Sequence, residues 1–223
     1  MVIDAANGVE PQTERLLAVC RARNTPIITF INKLDREVQE PLDLIAEIES
    51  HLGMDAVPFS WPVGMARHFG GVFNIREDRM RVFRPGQERR QGDDEFIDGL
   101  GNPEAARRFG DAYAKAQEEI ELITEASAPF DHEAFLAGRQ TPVFFGSAIN
   151  NFGVQEVLDA LVELAPPPGP RNALERVVQP EEPKFTGVVF KVQANMDPAH
   201  RDRVAFVRVS SGRFERGMRL CVA

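Results

Sequence analysis

Lysine is scarce: the 223 residues hold four (Lys33, Lys115, Lys184 and Lys191), and none follows a glycine. A loop of the form G-x-x-x-x-G-K-[ST], whose backbone N–H groups and lysine cradle phosphates, is therefore excluded. Cysteine is scarcer still. Cys20 and Cys221 stand near opposite ends of the sequence and form no C-x-x-C pair, which excludes a disulfide framework and points to free thiols in a reducing compartment. His51, His68, His132 and His200 are scattered, so no metal site is expected. No apolar run approaches the ~20 residues of a membrane span. The opening Met1-Val2-Ile3-Asp4-Ala5-Ala6 lacks the basic leader and long apolar core of a signal peptide. A cytoplasmic protein is expected.

What remains is ordinary for a globular chain: 43% hydrophobic and 27% charged residues, enough length for one or two domains. The net charge of −8 is uneven. Residues 184–223 carry eight Lys or Arg against Asp197, Asp202 and Glu215, a balance of +5, and the remainder carries −13. A basic segment on an acidic body suits an anionic partner such as RNA, or else a solvated strand surface that is basic.

Apolar spacing divides the chain. Val2-Ile3-Asp4-Ala5-Ala6 reads as a strand end and Asn7-Gly8 as a turn. Pro11 suits the first turn of a helix with Leu16, Leu17 and Cys20 as its apolar stripe, stopped by Asn24-Thr25-Pro26. Pro26-Ile27-Ile28-Thr29-Phe30-Ile31 is short and β-branched, as a strand buried on both faces requires. Leu42, Ile45, Ile48 and Leu52 recur at helical spacing, with Gly53 as C-cap. Strand–helix–strand–helix order argues for an α/β fold with a parallel sheet and crossover helices.

Residues 54–140 interrupt that order. Ser60-Trp61-Pro62-Val63-Gly64 is extended, and the runs 71–76 and 80–83 form a hairpin around Glu77-Asp78-Arg79. Residues 85–101 read as a polar loop. A long helix follows over about Pro103 to Ala126, with Phe109, Ala112, Ala116, Ile120 and Ile123 on one side. Asp131 caps a short helix ending near Gly138. Thr141-Pro142-Val143-Phe144-Phe145 resumes the α/β pattern, and Val154, Leu158, Leu161 and Val162 mark its closing helix. Ala165-Pro166-Pro167-Pro168-Gly169-Pro170 ends it. From Lys184 the period becomes two, which begins an antiparallel sheet or barrel. Trp61, Phe185 and Phe190 are expected to pack in the core.

Two stretches carry chemistry. Polar residues at the carboxyl end of a buried strand sit where open α/β sheets bind ligands. Asn32-Lys33-Leu34-Asp35 stands there and resembles the guanine-reading motif of GTPases. A carboxylate such as Asp35 can accept from both N1–H and the N2 amino group of guanine, a donor pair that adenine lacks. Asn32 can bond the base edge and tie neighbouring loops, and the Lys33 stem can lie along the base. Gly146-Ser147-Ala148 follows another strand, as the Ser-Ala loop of GTPases does, where backbone N–H groups meet guanine O6. Small residues allow that close approach. Gly146-Ser147 also reads as an N-cap for the segment that follows.

Asn-Lys-Leu-Asp, a long insert containing Trp61-Pro62-Val63-Gly64, Gly-Ser-Ala and then a barrel, in that order, resemble the translational GTPases. Phe190-Lys191-Val192-Gln193-Ala194-Asn195-Met196-Asp197-Pro198 with His200-Arg201-Asp202-Arg203 is similar to the bacterial peptide chain release factor 3 family in particular. Glu10-Pro11-Gln12-Thr13 and Arg36 after Asp35 fit as well. The resemblance spans essentially the whole chain and is most specific over residues 193–203. It implies a ribosome-dependent GTPase that acts in translation termination and recycles the stop-codon-reading release factors. It implies GTP or GDP as ligand, with Asn32, Lys33, Asp35, Ser147 and Ala148 at the guanine. The ribosome (its RNA and proteins) and the release factors are the implied partners, with no membrane or DNA. Arg201, Arg203 and Arg213 are candidate ribosome contacts or solvated surface.

The departure is the missing phosphate loop, together with the absence of an Asp-x-Pro-Gly-His switch. Asp98-Gly99-Leu100-Gly101 matches D-x-x-G formally, but it falls in the polar stretch and is discounted. The residues that would hold Mg²⁺ and those that would catalyse hydrolysis are therefore not expected in this chain. The layout expected is a partial GTP-binding domain over residues 1–168, a linker over 169–183 and the first strands of an antiparallel β-barrel over 184–223. Such a fragment of the P-loop-type GTPase fold is expected to hydrolyse no GTP by itself. An elongation factor G-like GTPase and a non-catalytic module touching the ribosome are the alternatives.

Overall fold

The computed structural model describes residues 1–84, 94–194 and 203–221. It divides into two units, Met1–Ala165 and Pro166–Ala223. The first opens with β1 (Val2–Asp4), α1 (Pro11–Ala22), β2 (Thr29–Asn32), α2 (Pro41–Leu52) and β3 (Asp55–Pro58). It continues with β4 (Ser60–Val63), β5 (Gly71–Asn74), β6 (Arg79–Val82) and β7 (Phe96–Asp98). Then come α3 (Pro103–Ala126), α4 (His132–Leu136), β8 (Gln140–Phe145) and α5 (Val154–Leu164).

The first sheet has the order β1-β2-β8-β3, with every neighbouring pair parallel. Central β8 is buried at all six residues, as a strand flanked on both sides and covered on both faces must be. Its buried polar atoms find partners. Thr141 Oγ1 lies 2.8 Å from Thr29 Oγ1 and donates to Ile27 O at 2.8 Å, so no hydroxyl is stranded in the core. Ile3, Ile31, Ile48, Leu52, Val143 and Phe145 share the larger core cluster. Phe30, Val57, Phe144, Ala160 and Leu164 form the second, on the opposite face of the strands. Pro41 opens α2, and Gly53 ends it with φ 57°, the left-handed C-cap expected from its position.

A single residue, Phe59, separates β3 from β4, where the chain leaves the parallel sheet for an antiparallel meander of order β4-β5-β6-β7. The hairpin read around Glu77-Asp78-Arg79 is its centre. Trp61 is fully buried on β4, its indole Nε1–H donating to Glu119 Oε2 of α3 at 2.9 Å.

Several readings change. Asp55–Pro58, within the stretch where the sequence pattern breaks off, is the outer strand of the parallel sheet beside β8. The stretch read as polar loop holds β7, three residues with only Ile97 buried, too short for an alternation to register. The long helix breaks at Gly110 (φ 52°, ψ −130°), a conformation that glycine adopts without a Cβ clash. Tyr113 is buried on it. On α1, Leu17 is buried whereas Leu16 is exposed. On α5 the inward residues are Ala160 and Leu164, with Val154 and Val157 packed beside them, and Leu158, Leu161 and Val162 are exposed.

The second unit contains β9 (Arg171–Asn172), β10 (Val177–Val178), β11 (Thr186–Ala194) and β12 (Arg203–Ser211). β9 and β10 pair antiparallel within the segment read as a linker. β11 and β12 form an antiparallel ladder with a register shift between Val189 and Lys191. The bulge at Phe190 breaks the simple alternation. Phe190 is exposed, against the expectation of core packing, and lies beside Phe206 at 6.3 Å. Phe185 is half-buried against Phe214 at 5.5 Å. Arg203 and Arg213 are exposed, while Arg201 and residues 195–202 as a whole lie outside the described residues. No described helix is long and apolar enough to cross a membrane.

Candidate functional site

Parallel β1, β2 and β8 end at one edge of the first sheet, and their carboxyl ends bring Asp4, Asn32 and Gly146 into neighbouring loops. Backbone bonds fasten those loops together. Ala5 N donates to Asn32 O at 3.0 Å, Gly146 N to Ile31 O at 3.0 Å and Leu34 N to Gly146 O at 3.2 Å. Leu34 anchors its loop by burying its side chain almost completely.

The polar side chains bond across the loops. Asn32 Oδ1 accepts from Lys33 N at 2.8 Å and from Ala148 N at 2.8 Å. Ser147 is wholly buried, and its Oγ donates to Asp35 Oδ1 at 2.5 Å while accepting from Asn150 Nδ2 at 2.8 Å. Asp35 Oδ2 has Arg36 Nε at 3.9 Å, and 22% of the Asp35 side chain is exposed. The sequence-predicted residues Asn32, Asp35, Ser147 and Ala148 thus form one hydrogen-bonded group. Ser147 borders a short 3-10 turn over Ala148–Asn150 without capping it through its side chain, and α5 begins later, after Gly153. Ser147 therefore takes the N-cap position of the 3-10 turn, as the sequence suggests, but through its backbone carbonyl and not its hydroxyl.

Gly146 is held to glycine by its surroundings. A Cβ there would stand 2.3 Å from Phe152 O and 2.9 Å from the Phe30 ring. Ser147 N donates to Phe152 O at 2.9 Å and Phe152 N returns to Ser147 O at 3.0 Å, which closes the loop on itself.

Lys33 adopts φ 79° and sends Nζ to Asp4 Oδ2 at 2.5 Å. That hydrogen bond is the main reason the Asp4 carboxyl is held below its ordinary range, and the Ala6 N–H and the Arg36 charge act in the same direction. Burial opposes them. Asp4 was not singled out from the sequence. The rule that drew attention to Asn32, a polar residue ending a buried strand, applies to Asp4 equally. Elsewhere in this unit, a cavity of about 240 Å³ is lined by Phe59, Arg76, Arg81, Phe96 and Glu156, away from these loops.

The family model for the Elongation factor Tu GTP binding domain matches residues 1–167. The chain belongs to this family of GTP-binding domains. A second model, Elongation factor G domain 2, matches residues 184–223, where the antiparallel β11–β12 ladder begins. The chain is 84% identical over all 223 residues to Peptide chain release factor 3 of Bordetella petrii, and 67% identical to that of Nitrosomonas europaea. It spans 42% of the length of each. The resemblance to the release factor 3 family is thereby borne out, as is the α/β GTPase fold followed by an antiparallel start. A crystal structure of a Thermus thermophilus protein shares the fold, with a TM-score of 0.63 at 22% identity over 97% of this chain and 32% of that one.

Membership of a GTPase family implies a guanine nucleotide and, typically, Mg²⁺. Among the described residues, no group of three or more His, Cys, Asp or Glu side chains could hold a metal ion. Asp4 and Asp35, the carboxylates at these loops, are bonded to Lys33 and Ser147 instead. At these loops the described carboxylates are thus engaged by protein partners and are not gathered around an ion. The donor set suits the base of a nucleotide: a partly exposed carboxylate, an amide and small residues on loops beyond the strand ends.

Proposed function

We propose that this chain supplies the guanine-recognition half of the GTP site of a ribosome-dependent GTPase acting in translation termination. The observation that carries this reading is the direct bonding of Asp35 to Ser147 and of Asn32 to Ala148. It gives two loops, far apart in sequence, one fixed arrangement of donors and acceptors. Asp35 accepts from guanine N1–H and the N2 amino group, and the Ser147 hydroxyl fixes its orientation. Asn32 spends its oxygen on the loops and keeps its Nδ2 to donate to the base edge. The Ser147-Ala148 loop, tied to Asn32 through the Ala148 N–H, presents its backbone donors to O6. Lys33, steered by Asp4, lays its stem along the ring.

The layout we propose with it is a partial GTP-binding domain over residues 1–168, including an insert over about 54–140, a linker over 169–183 and the front of a β-barrel over 184–223. The partners are the ribosome and the stop-codon-reading release factors, whose recycling the intact protein stimulates, and the setting is the cytoplasm. The phosphate and Mg²⁺ end of the site and the catalytic groups are supplied from outside this chain. The similarity to Peptide chain release factor 3 over every residue supports termination over the elongation alternative.

The test is Asp35→Asn in the full-length protein, read by competition between GDP and xanthosine diphosphate. Exchanging the carboxylate for an amide removes the acceptor for two donors, and a site built to hydrogen-bond its ligand discriminates strongly by such groups. The expected outcome is loss of the preference for GDP. A preference that survives the substitution overturns the guanine-reading role of Asp35.

A further inference from the structure

The two base-reading loops are also held from outside the parallel sheet. The chain that runs from β4 to β5 turns through a 3-10 turn, Ala66–His68, and Ala66 N donates to Leu34 O at 2.9 Å, within the Asn32–Asp35 loop. The opposite loop is gripped by rings. Phe152, completely buried, meets Phe69 at 5.6 Å and Phe83 at 5.2 Å, both edge to face, and Phe69 meets Phe83 at 5.0 Å. Phe69 lies in the connection from β4 to β5 and Phe83 directly follows β6, whereas Phe152 O and N hold Ser147. The start of β4 adds a third tie: Ser60 Oγ accepts from Phe145 N at 3.0 Å, one residue before Gly146.

Backbone strain gathers at these joints. Of the five non-glycine residues with positive φ among the described residues, Lys33 (79°) lies in one loop, Asn151 (49°) in the other and Ala66 (53°) in the turn that touches Leu34. Conformations of this kind persist where surrounding contacts over-determine them. Neither loop holds its shape through the parallel sheet alone.

We infer that Phe69 and Phe83 are positioning residues for the nucleotide site: through Phe152 and the Ala66 turn, the antiparallel sheet sets how firmly both base-reading loops close on a guanine nucleotide, and so how long it stays. This rests on the guanine-recognition reading above. The sheet acts on residence time and leaves the choice of base to Asp35, because the two phenylalanines reach the loops through Phe152 and the Ala66 turn.

The experiment compares Phe83→Leu with Phe130→Leu in the full-length protein. Phe130 is an equally aromatic, half-buried position, but it packs on Phe59 and Phe135 in the other core cluster. Dissociation of a fluorescent GDP is timed by stopped flow, and the thermal midpoint is recorded for each variant. Phe83→Leu is expected to speed dissociation about tenfold, a shift typical of residues coupled through direct contact, while Phe130→Leu stays within about twofold at comparable loss of thermal stability. The ratio of GDP to xanthosine diphosphate affinity should not move in either. Equal acceleration by both variants would mean general loosening and overturns the inference, as does no acceleration by Phe83→Leu. Phe83→Met is the second variant should the leucine fail to fold, judged by the same criteria. Asp35→Asn run alongside separates the two readings: failure of that variant to change base preference indicts the guanine site, and its success with an unmoved Phe83 variant indicts only the positioning role.

Discussion

β8 and β11 are both rich in valine and phenylalanine, yet β8 is buried at every residue, while Val188, Val189, Phe190 and Val192 of β11 are each more than half exposed. Neighbours account for the difference. β8 lies between β2 and β3 and is covered on both faces, whereas among the described residues β11 pairs with β12 alone. Apolar composition makes burial favourable at roughly 25 cal/mol per Å², but only packing elements can remove the area from water. The strand that is locked on all sides is also the one whose end carries Gly146 and Ser147. A rigid strand positions a loop more sharply than a free ladder can.

The sharpest way to break this comparison is a matched pair of truncations followed by chemical denaturation. Phe145→Ala removes a fully buried ring that meets Trp61 edge to face at 5.2 Å, and is expected to cost about 3–5 kcal/mol. Phe190→Ala, at a position 65% exposed, should stay within about 0.5 kcal/mol. Equal losses would mean that β11 is covered in solution, and the contrast would fall. A smaller effect is expected from Ser60→Ala. It leaves the buried Phe145 N–H without its acceptor, a loss of about 1–3 kcal/mol, visible as a lower urea midpoint at an unchanged slope.

The smallest effect concerns the site edge. Asp4 ionises more readily in the folded protein than in the unfolded chain because Lys33 bonds its carboxylate. Its contribution is therefore fully present above the unfolded carboxyl range near about pH 4, and is lost as pH falls through the lower folded value. Lys33 is 42% exposed in this pair, so solvent screening limits Asp4→Asn to under about 1 kcal/mol. The loss should show in urea midpoints at pH 7 and vanish under strongly acidic conditions. A difference that persists undiminished in acid would assign the effect to packing instead of charge.

Much of this was legible in the chain itself. The spacing of Leu42, Ile45, Ile48 and Leu52 with Gly53 after them describes α2 almost to its ends, because amphipathic period and left-handed cap are local properties. Asn32, Asp35, Ser147 and Ala148 were recognisable from strand ends and motif order. What escaped was non-local. α5 carries apolar residues on two faces, and periodicity does not say which meets the sheet. Val154, Leu158, Leu161 and Val162 mark the helix, but Leu158, Leu161 and Val162 are exposed and Ala160 and Leu164 are buried. Asp55–Pro58 gave no signal of its own because it becomes a strand only by pairing with β8. Phe190 is exposed together with Val188, Val189 and Val192, because burial depends on what packs over a strand, and apolar content by itself does not report that.

The same division holds at the site. By itself the sequence determined which groups are present: a carboxylate, an amide, a hydroxyl and small residues, each following an apolar strand, with no phosphate-cradling lysine anywhere in the chain. Residue identity and local pattern suffice for that. Only the tertiary structure decided that Asp35 would meet Ser147, that Asn32 would hold Ala148, that Lys33 would reach Asp4, and that Phe69 and Phe83 would close on Phe152. Those pairs join loops remote in sequence, and only parallel strand order and sheet-to-loop packing bring them within bonding distance.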